Sequence, residues 1–418
     1  KIAPFKTGPD FIDPRFHEKV TGTPSYNLDT YMLTEDIVRH LYKKHSEGKD
    51  IAIIEGVMGL YDGMGQNATG STYQLATTLG LPVVLVVNCK SIYQSVAAIV
   101  KGFATFRENS QVAGVILNHV SNKEHYEFLK HIIERDCAIT CIGYLPPMPS
   151  IKLESRHLGL IQADEIDDLN DKILTLTATM RQTIDIEALI ALSKKSKHID
   201  IDNPQPFHED LSGLELGIAL DKAFSFYYAD NIELLEERGA IIHYFSPLYD
   251  TEIPDSCNAL YLGGGYPEVF ARELSNNKTM LQSIKEKIES GMPVFAECGG
   301  MMYLTEAIET KELERFEMCG IFNCTTRMTS ELKRFGYAEL EYNGKTTRCH
   351  EFHKSEIVEN KPDKNHSYSF KLHKPDIDMS WQCGLSRLNA LAGYAHVHFW
   401  SEPGFSTEIF NLWKRAIT

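Results

Sequence analysis

Apolar runs that alternate with amphipathic segments constrain the fold of this chain more than any other feature. In the first half, four runs rich in Val and Ile are separated by segments whose apolar residues have helical spacing. The runs span residues 51–59, 81–88, 112–120 and 141–146. Because continuous apolar strands occur where both faces of a sheet are covered, this pattern predicts an open parallel sheet with helices on both sides.

The alternation stops at residues 193–211, a polar segment with two prolines, and then resumes. The later strand-like runs span residues 214–221, 240–245, 259–265 and 292–298, and the helical patterns between them span 228–239 and 280–291. A length of 418 residues also suits two domains. We therefore predict an α/β chain of two open parallel-sheet domains, at 1–195 and 213–418, with a linker at 196–212.

Charge and composition disfavour two classes of partner. A net charge of −15 argues against a general nucleic-acid binder or a polybasic membrane-surface protein. The longest apolar runs are far shorter than the ~20 residues of a membrane span. Nine cysteines without a CxxC pair, and no signal peptide, predict reduced thiols and a cytoplasmic location.

The segment PVFAECGGMMYL, residues 293–304, predicts a nucleophile. A strand runs into Cys298 and Gly299, and a helical pattern follows. A nucleophile on such a turn is presented at the carboxyl end of the strand, and the next helix N-terminus stabilises a thiolate. Cys298 is therefore a candidate for forming a thioester, and the alternative is a small buried cysteine in a tight turn.

Two further segments supply partners for such a nucleophile. GGGYPEVFA, residues 263–271, follows a strand and offers backbone N–H groups for an oxyanion hole, although a plain glycine-rich turn would look the same. In GYAHVHFWSEP, residues 393–403, two histidines alternate with apolar residues, so both are expected on one side of a strand, where one could be a general base. The alternatives are ordinary strand histidines or a metal pair. The candidates are His396 and His398 as base, and Gly264, Gly265, Tyr266 and Gly299 for the oxyanion.

Charged residues in the first half suggest a phosphate and metal site. FKTGPDFIDPRFH, residues 5–17, places Lys6 near Asp10 and Asp13, and Glu55 ends a strand before a glycine-rich loop. Carboxylates suit Mg²⁺, lysine suits phosphate, and open α/β sheets bind ligands at strand carboxyl ends. We assign Asp10 and Glu55 to the metal; the alternatives are a solvated charged loop and a capping acid.

No GxxxxGK[ST] loop accompanies this site. The nearest segment is GQNATGST, residues 65–72, where Ser71 stands in place of the lysine. It also lies ten residues beyond a strand end, so we reject it as a phosphate-binding loop.

The GGGYPE, AECGG and GYAHVHF segments resemble the Cys-His glutamine amidotransferases of the class I type. Together with GPDFIDPRFH, NLDTYM, EGVMGLYDG and FYYADNIELLEERGA, they resemble the cobyrinic acid a,c-diamide synthase family over essentially the whole chain. The resemblance implies an N-terminal P-loop NTPase-like, dethiobiotin synthetase-like domain and a C-terminal class I amidotransferase-like domain. Because the family carries its P-loop unit just before the segment that starts here, we expect such a unit upstream of Lys1.

The resemblance also implies chemistry and site residues. ATP and Mg²⁺ would activate two acetate carboxylates of cobyrinic acid as acyl phosphates, and ammonia from L-glutamine would amidate them. Cys298 would be the nucleophile and His396 its base, with His398 as the alternative. No acid follows His396 before Glu402, which favours a Cys-His dyad. Residues Gly264, Gly265, Tyr266 and Gly299 would bind glutamine or its oxyanion. Asp10, Asp13 and Glu55 would handle Mg²⁺–ATP and the substrate carboxylate, with Lys6 near phosphate. Asn118 resembles an adenine-reading asparagine, or it caps a strand end.

Several alternatives stay open at this level. The macrocycle could instead be hydrogenobyrinic acid or nickel-sirohydrochlorin. The chain could also resemble a cobyric acid synthase that makes different amides, although GPDFIDP and EGVMGLYDG favour the a,c-diamide type, or it could be a noncatalytic glutamine-binding scaffold. Whether it forms a homodimer is also open. The HEFH segment, residues 350–353, resembles a metal pair, but it lacks the HExxH spacing of zinc helices.

Overall fold

The structure is a computed structural model that describes residues 1–156, 159–196, 204, 207–359 and 365–417. It contains two compact units. The first comprises residues 1–30 with 35–204, and the second comprises 31–34 with 205–418, over the described part of these ranges.

The first unit is built on parallel strands. Its strands are β1 (Ile2–Thr7), β2 (Tyr26–Leu28), β3 (Ile51–Glu55), β4 (Val83–Asn88), β5 (Val112–Asn118), β6 (Thr140–Leu145), β7 (Ser155–Arg156) and β8 (Gly159–Leu160). Its helices are α1 (Asp13–Thr21), α2 (Glu35–Ser46), α3 (Thr72–Leu79), α4 (Ser95–Thr105), α5 (Lys123–Cys137), α6 (Leu169–Thr183) and α7 (Ile186–Ser193), with short 3-10 turns at Pro149–Ile151 and Ala163–Glu165. Two three-stranded parallel sheets have the orders β2-β1-β3 and β4-β5-β6.

These strands confirm the predicted alternation, with one difference in how they are covered. Val115 and Leu117 of β5 are fully buried against Leu129 and other residues of α5, as expected for a strand inside an α/β layer. Ile53 of β3 and Val86 of β4, by contrast, are 52% and 65% exposed. Both strands lie at the edge of their sheet, where fewer neighbours cover the apolar side chains.

The second unit is organised around a ten-stranded sheet. Its strands are β9 (Glu215–Ala219), β10 (Phe224–Phe226), β11 (Ile241–Phe245), β12 (Ala259–Leu262), β13 (Gly264–Gly265), β14 (Val294–Glu297), β15 (Thr305–Glu309), β16 (Arg315–Glu317), β17 (Phe322–Met328), β18 (Arg334–Tyr342), β19 (Lys345–His353), β20 (Ser355–Glu359), β21 (Ser367–His373), β22 (Ser380–Arg387), β23 (Ala390–Gly393) and β24 (His396–Val397). Its helices are α8 (Ala229–Glu237), α9 (Ala271–Asn276), α10 (Lys278–Glu289), α11 (Gly299–Leu304) and α12 (Pro403–Lys414). The sheet order is β11-β9-β12-β14-β23-β22-β21-β18-β19-β24.

One half of this sheet is parallel and the other is antiparallel. The run β11-β9-β12-β14-β23 is parallel, which confirms the predicted second α/β domain. The run from β22 to β24 is antiparallel and was not predicted. β14 lies between β12 and β23, so the carboxyl ends of three parallel strands meet beside the residue that follows Glu297.

Part of the predicted linker lies outside the described residues, namely 197–203 and 205–206. In its last part, Phe207 and Leu211 are buried, and the Phe207 ring meets Trp400 edge-on at 5.2 Å. These residues therefore pack within the second unit, while the domain limits of 195 and 213 stay predictions.

Two further expectations concern thiols and membranes. All nine cysteines are free, as predicted, and eight of them are buried. Within the part of the chain that the structure describes, no helix has both the length and the apolar character needed to cross a bilayer.

Candidate active site

Cys298 alone makes the turn between β14 and α11, as the elbow pattern predicted. Its φ of +44° is unusual for a residue with a side chain, and such strain persists only where neighbours hold it. Its N–H donates to the Gly393 carbonyl at 2.7 Å, and its carbonyl accepts from the Met302 N–H at 3.0 Å. The nucleophile candidate is thus held between β23 and the first turn of α11.

The glycine loop after β12 lies directly against this elbow. The Gly300 N–H donates to the Gly263 carbonyl at 2.9 Å. A Cβ on Gly299 would lie 3.0 Å from the Gly265 nitrogen, and one on Gly300 would lie 2.2 Å from the Leu262 carbonyl oxygen. Glycine is therefore required for this close approach of two backbones.

The candidate oxyanion donors differ in their availability. Burial raises the pKa of the Cys298 thiol, and the Gly299 N–H, which interacts with its sulfur, partly opposes that rise. The Tyr266 N–H instead donates to the Ala223 carbonyl at 3.0 Å, so it is already engaged. The geometry thus favours Gly299, with the adjoining loop, over the Tyr266 backbone as the oxyanion site.

His396 lies against the glycine loop. A Cβ on Gly264 would be 2.5 Å from its Cε1 and 3.2 Å from its Nε2. On the next strand, His350 is its register partner, and the two rings stack at 5.3 Å. Burial lowers the pKa of His396 to about 3, although the charge of Glu351 opposes this. The imidazole is therefore neutral at pH 7, as a general base requires.

His398 has different surroundings. Its Nε2 lies 3.7 Å from Asp230 Oδ2 of α8, and its ring lies 4.8 Å from that of Tyr228. Its Nδ1 accepts from the Trp400 N–H at 3.4 Å. These contacts place His398 beside Asp230 and Tyr228, whereas His396 lies against the glycine loop, so the geometry favours His396 as the base.

Asn231 is a buried residue that the sequence analysis did not single out. Its Nδ2 donates to the Val397 carbonyl at 2.8 Å, and its Oδ1 accepts from the Phe399 N–H at 2.7 Å. These two bonds fix the backbone on both sides of His398. The residue belongs to FYYADNIELLEERGA, so the family motif held the signal without indicating the role.

Glu297 was also missed, although it directly precedes the nucleophile. Its Oε2 lies 3.5 Å from His396 Nδ1 and accepts from the Tyr261 hydroxyl at 3.2 Å. Its Oε1 accepts from the Val397 N–H at 3.1 Å. Burial raises the pKa of its carboxyl group to about 8. A charged residue at the end of an otherwise apolar strand was the available signal.

The surroundings of Cys298 keep its thiol protonated at rest. Burial raises the pKa of the thiol, and the charges of Glu268 and Glu351 raise it further. Glu351 is itself buried, and within the described part of the chain neither of its carboxylate oxygens has a hydrogen-bond partner. A base is therefore needed to generate the thiolate.

The HEFH segment occupies β19 beside this site. His353 Nδ1 donates to the Ser355 carbonyl at 2.9 Å, and its ring stacks on Tyr394 at 3.7 Å. Its Nε2 lies 3.9 Å from Glu351 Oε2. Over the described ranges, neither histidine of the segment belongs to a group of three metal-ligating side chains.

In the first unit, four of the predicted residues meet at the ends of β1 and β3, where Lys6 and Glu55 are register partners. Lys6 Nζ lies 2.5 Å from Asp13 Oδ2, 3.5 Å from Glu55 Oε1 and 3.7 Å from Asp10 Oδ2. It also donates to the Gly56 carbonyl at 3.2 Å. The lysine is buried, so its ammonium group is the centre of an acidic cluster.

The pKa values follow from this arrangement. Burial alone would lower the pKa of Lys6, but the hydrogen bond to Asp13 and the charges of all three acids raise it. Burial and the charge of Asp13 raise the pKa of Asp10. Burial would also raise that of Glu55, but contacts with His17 and Lys6 lower it. Of Asp10 and Glu55, it is therefore Glu55 whose charged form is the more strongly favoured.

His17 is a further residue that the sequence analysis did not assign. Its Nε2 lies 2.6 Å from Glu55 Oε2, and its Nδ1 lies 2.9 Å from Ser25 Oγ. The imidazole thus connects the strand-end acid to the loop before β2. Its place at the end of GPDFIDPRFH was the available signal.

The donor set suits Mg²⁺ only in one coordination mode. Over the described residues, Asp10, Asp13 and Glu55 do not bring three ligand atoms within 4.8 Å of one another, since Lys6 lies among them. Mg²⁺ usually takes one or two carboxylates together with phosphate oxygens and water. Glu55, whose side chain is 49% exposed, and Asp10, whose side chain is 26% exposed, fit that mode.

Asn118 lies at the end of β5, in the other sheet of the first unit. Its Oδ1 accepts from the N–H of His119 at 2.9 Å, a residue with a positive φ of 58°. This contact matches the capping alternative, while the adenine role stays a prediction.

Replacing Gly264 by alanine should impair the histidine without unfolding the chain. The new Cβ would lie 2.5 Å from Cε1 of His396, so the ring must move. Since a misplacement of about 1 Å costs about 10²-fold in rate, we expect glutamine hydrolysis to fall by about that factor. Steady-state glutamate release measures it.

Gly102→Ala is the matched control for that substitution. Gly102 lies inside α4, and nothing lies within 4 Å of a Cβ there. Alanine should stabilise the helix by about 0.5–1 kcal/mol and leave glutamine hydrolysis unchanged. Equal rates for both variants would show that His396 does not depend on the space at Gly264.

Comparison with known protein families assigns a class to each unit. Residues 215–404 match the CobB/CobQ-like glutamine amidotransferase domain, and residues 27–155 match an AAA domain. The second unit is thus a glutamine amidotransferase domain, and the first is a nucleotide-binding domain of the P-loop type. Both agree with the fold class predicted from the motifs.

Curated relatives define the family more closely. A cobyrinate a,c-diamide synthase of Clostridium tetani is 46% identical over 404 residues, covering 94% of this chain and 89% of the relative. Those of Listeria innocua and Caldanaerobacter subterraneus are 39% and 40% identical, covering 99% and 96% of this chain and 93% and 89% of the relatives. The chain belongs to the cobyrinate a,c-diamide synthase family. It is an enzyme, a glutamine-dependent carbon–nitrogen ligase.

Proposed function

We propose that the chain amidates the a and c acetate carboxylates of cobyrinic acid, using ATP and glutamine. The observation that carries this proposal is the near full-length similarity to relatives named for that reaction. The separate clusters around Cys298 and Lys6 support it, because the reaction needs two kinds of chemistry. One cluster would release ammonia, and the other would activate a carboxylate.

The glutaminase step uses the elbow. Cys298 Sγ attacks the side-chain amide carbon of glutamine while His396 takes the thiol proton. The Gly299 N–H and the loop of Gly264 and Gly265 stabilise the oxyanion that forms. His396 then gives its proton to the leaving nitrogen, which departs as ammonia. Water attacks the remaining thioester, with His396 as base, and releases glutamate and the thiol.

The synthetase step uses the acidic cluster. The substrate carboxylate attacks the γ-phosphate of ATP, forming an acyl phosphate and ADP, and ammonia then displaces inorganic phosphate to give the amide. Lys6 would contact phosphate, Asp10 and Glu55 would hold Mg²⁺, and Asp13 would fix the lysine. When bound, Mg²⁺ neutralises charge on the phosphate oxygens. Asn118 is our candidate for contacting adenine.

Incubation with candidate macrocycles tests this function. The full-length protein is given cobyrinic acid, glutamine and Mg²⁺–ATP, and products are followed by mass spectrometry. We expect two successive exchanges of hydroxyl for amino groups, with one ADP formed per amide. Preferred turnover of hydrogenobyrinic acid or nickel-sirohydrochlorin would reassign the substrate, and glutamine binding without any turnover would indicate a scaffold.

A further inference from the structure

Glu297 occupies a place in the second unit that neither the motifs nor the family name assigns. It is the last residue of β14 and directly precedes Cys298, so its backbone lies at the same strand end as the candidate nucleophile. Its side chain is buried, and its Oε2 lies 3.5 Å from Nδ1 of His396. One residue thus links the position of the cysteine to that of the histidine.

Two hydrogen bonds fix the orientation of this carboxylate. The Val397 N–H donates to Oε1 at 3.1 Å, and the Tyr261 hydroxyl donates to Oε2 at 3.2 Å. The Val397 contact joins Glu297 to the strand that carries His396 itself, so the two side chains cannot shift independently. Both donors lower the pKa of this carboxyl group, although burial still raises it to about 8, so the carboxylate form predominates above that pH.

The opposite edge of the His396 ring faces the glycine loop. Its Nε2 and Cε1 are the atoms that a Cβ on Gly264 would meet, at 3.2 and 2.5 Å. With Nδ1 toward Glu297, the imidazole therefore has one nitrogen beside an acid and the other beside the oxyanion loop. In a catalytic triad the imidazole likewise has one nitrogen beside the acid and the other on the side of the nucleophile. This geometry recurs whatever the order of the three residues in the chain.

Other acids near the histidines have different contacts. Glu402 caps α12, where its side chain accepts from the Gly404 N–H. Asp230 lies beside His398. The nearest described contact of Glu351 is with His353, at 3.9 Å. Glu297 is thus the acid that the described contacts place beside Nδ1 of His396.

We propose that Glu297 is the positioning residue of His396, accepting its Nδ1 proton so that Nε2 keeps the lone pair that takes the thiol proton of Cys298. The inference rests on the proposed glutaminase function and replaces the expected dyad by a three-residue series. We expect the 3.5 Å separation to shorten when glutamine fills the site, as catalytic hydrogen bonds commonly do. When His396 becomes positively charged, the carboxylate balances that charge.

Glu297→Gln is the variant that tests this role. Glutamine keeps the size of the side chain and the Oε1 acceptor for Val397, but its amide group can donate to Nδ1 and so favours the wrong tautomer of His396. An amide at the equivalent place in a serine protease lowers kcat by about 10⁴-fold. For the full-length protein we expect kcat for glutamine hydrolysis to fall at least about 10²-fold, with KM for glutamine changed less than about threefold.

Ammonia-dependent amide synthesis and a control variant separate this loss from general damage. Synthesis with added ammonia should be unchanged in Glu297→Gln. Glu215→Gln removes another acid beside a histidine, the Glu215–His243 pair at 2.5 Å, and should leave kcat within about twofold. A kcat of Glu297→Gln within threefold of the parent would overturn the positioning role. If Cys298→Ala also kept its activity, the glutaminase assignment itself would fail.

A measurement on the unaltered chain covers the case in which Glu297→Gln does not fold. Nitrogen-15 spectra of histidine-labelled protein report which ring nitrogen carries the proton, and His396→Gln assigns the signal. We expect the Nδ1–H tautomer at about pH 9, above the Glu297 pKa of about 8, in the presence of an unreactive glutamine analogue. The Nε2–H tautomer under those conditions would contradict the proposal.

Discussion

Replacing Cys298 by alanine is expected to abolish glutamine-dependent amidation while synthesis from added ammonia continues. The substitution removes the sulfur that would form the thioester, and the strained turn at Cys298 has no second nucleophile to take its place. Glutamate release should fall at least about 10³-fold, because only noncatalysed attack by water remains. Assays of the full-length protein with each nitrogen source measure both reactions.

Cys257→Ala provides the control for this first prediction. Cys257 is also a buried free thiol of the second unit, but it packs beside Gly217 of β9. A glutamine analogue with an electrophilic side chain should label the parent and Cys257→Ala, and leave Cys298→Ala unlabelled. Continued glutamate release by Cys298→Ala, or labelling of that variant, would refute the assignment of the nucleophile.

Replacing Lys6 by methionine is expected to have the largest effect on the first unit. The ammonium group contacts three carboxylates, and methionine leaves them facing one another without a cation. Breaking a buried ion pair lowers the free energy of unfolding by about 3–5 kcal/mol. Because these acids are partly exposed, we expect Lys6→Met to lower it by about 2–4 kcal/mol. Ammonia-dependent synthesis should be lost, while glutamine hydrolysis by the second unit continues.

Lys19→Met is the matched control for the lysine substitution. Lys19 lies on α1, the same helix that begins with Asp13, and pairs with Asp164 at 3.0 Å where both side chains are about half exposed. Such a surface pair contributes less than about 1 kcal/mol. Denaturant unfolding and ammonia-dependent synthesis should therefore change little. Equal losses of stability and of synthesis in the two variants would show that Lys6 contributes no more than an exposed lysine does.

Local patterns were sufficient for the parallel parts of the fold. Strands such as β5 and β14 are short apolar runs that end at glycine or polar residues, and their limits could be read from composition alone. The antiparallel strands β18 to β22 were missed because their side chains mix polar and apolar residues and their pairing is set by contacts with one another. Cross-strand register of that kind has no short-range signal.

The candidate sites divide in the same way. Cys298 and the glycines around it were found because a strand-to-helix elbow is a local structure with a local residue pattern. Asn231, Glu297 and His17 were missed as parts of a site because each acts through a residue that is remote in the chain. The acid that we propose to position His396 precedes the cysteine in the chain instead of following the histidine, so the histidine motif did not indicate it.

The sequence by itself determined the two α/β units, the nucleophile elbow, the glycine loop and the charged residues at the ends of β1 and β3. Only the tertiary structure favours His396 over His398 as the proposed base, because their different surroundings, with Glu297 and Asp230 as the neighbouring acids, come from separate elements of the fold. It also decided that Lys6 is the centre of the acidic cluster, since parallel pairing of β1 and β3 brings Glu55 beside it. The reason is physical: hydrogen-bonded turns depend on neighbouring residues, whereas the charge and orientation of a buried side chain depend on which strands and helices pack around it.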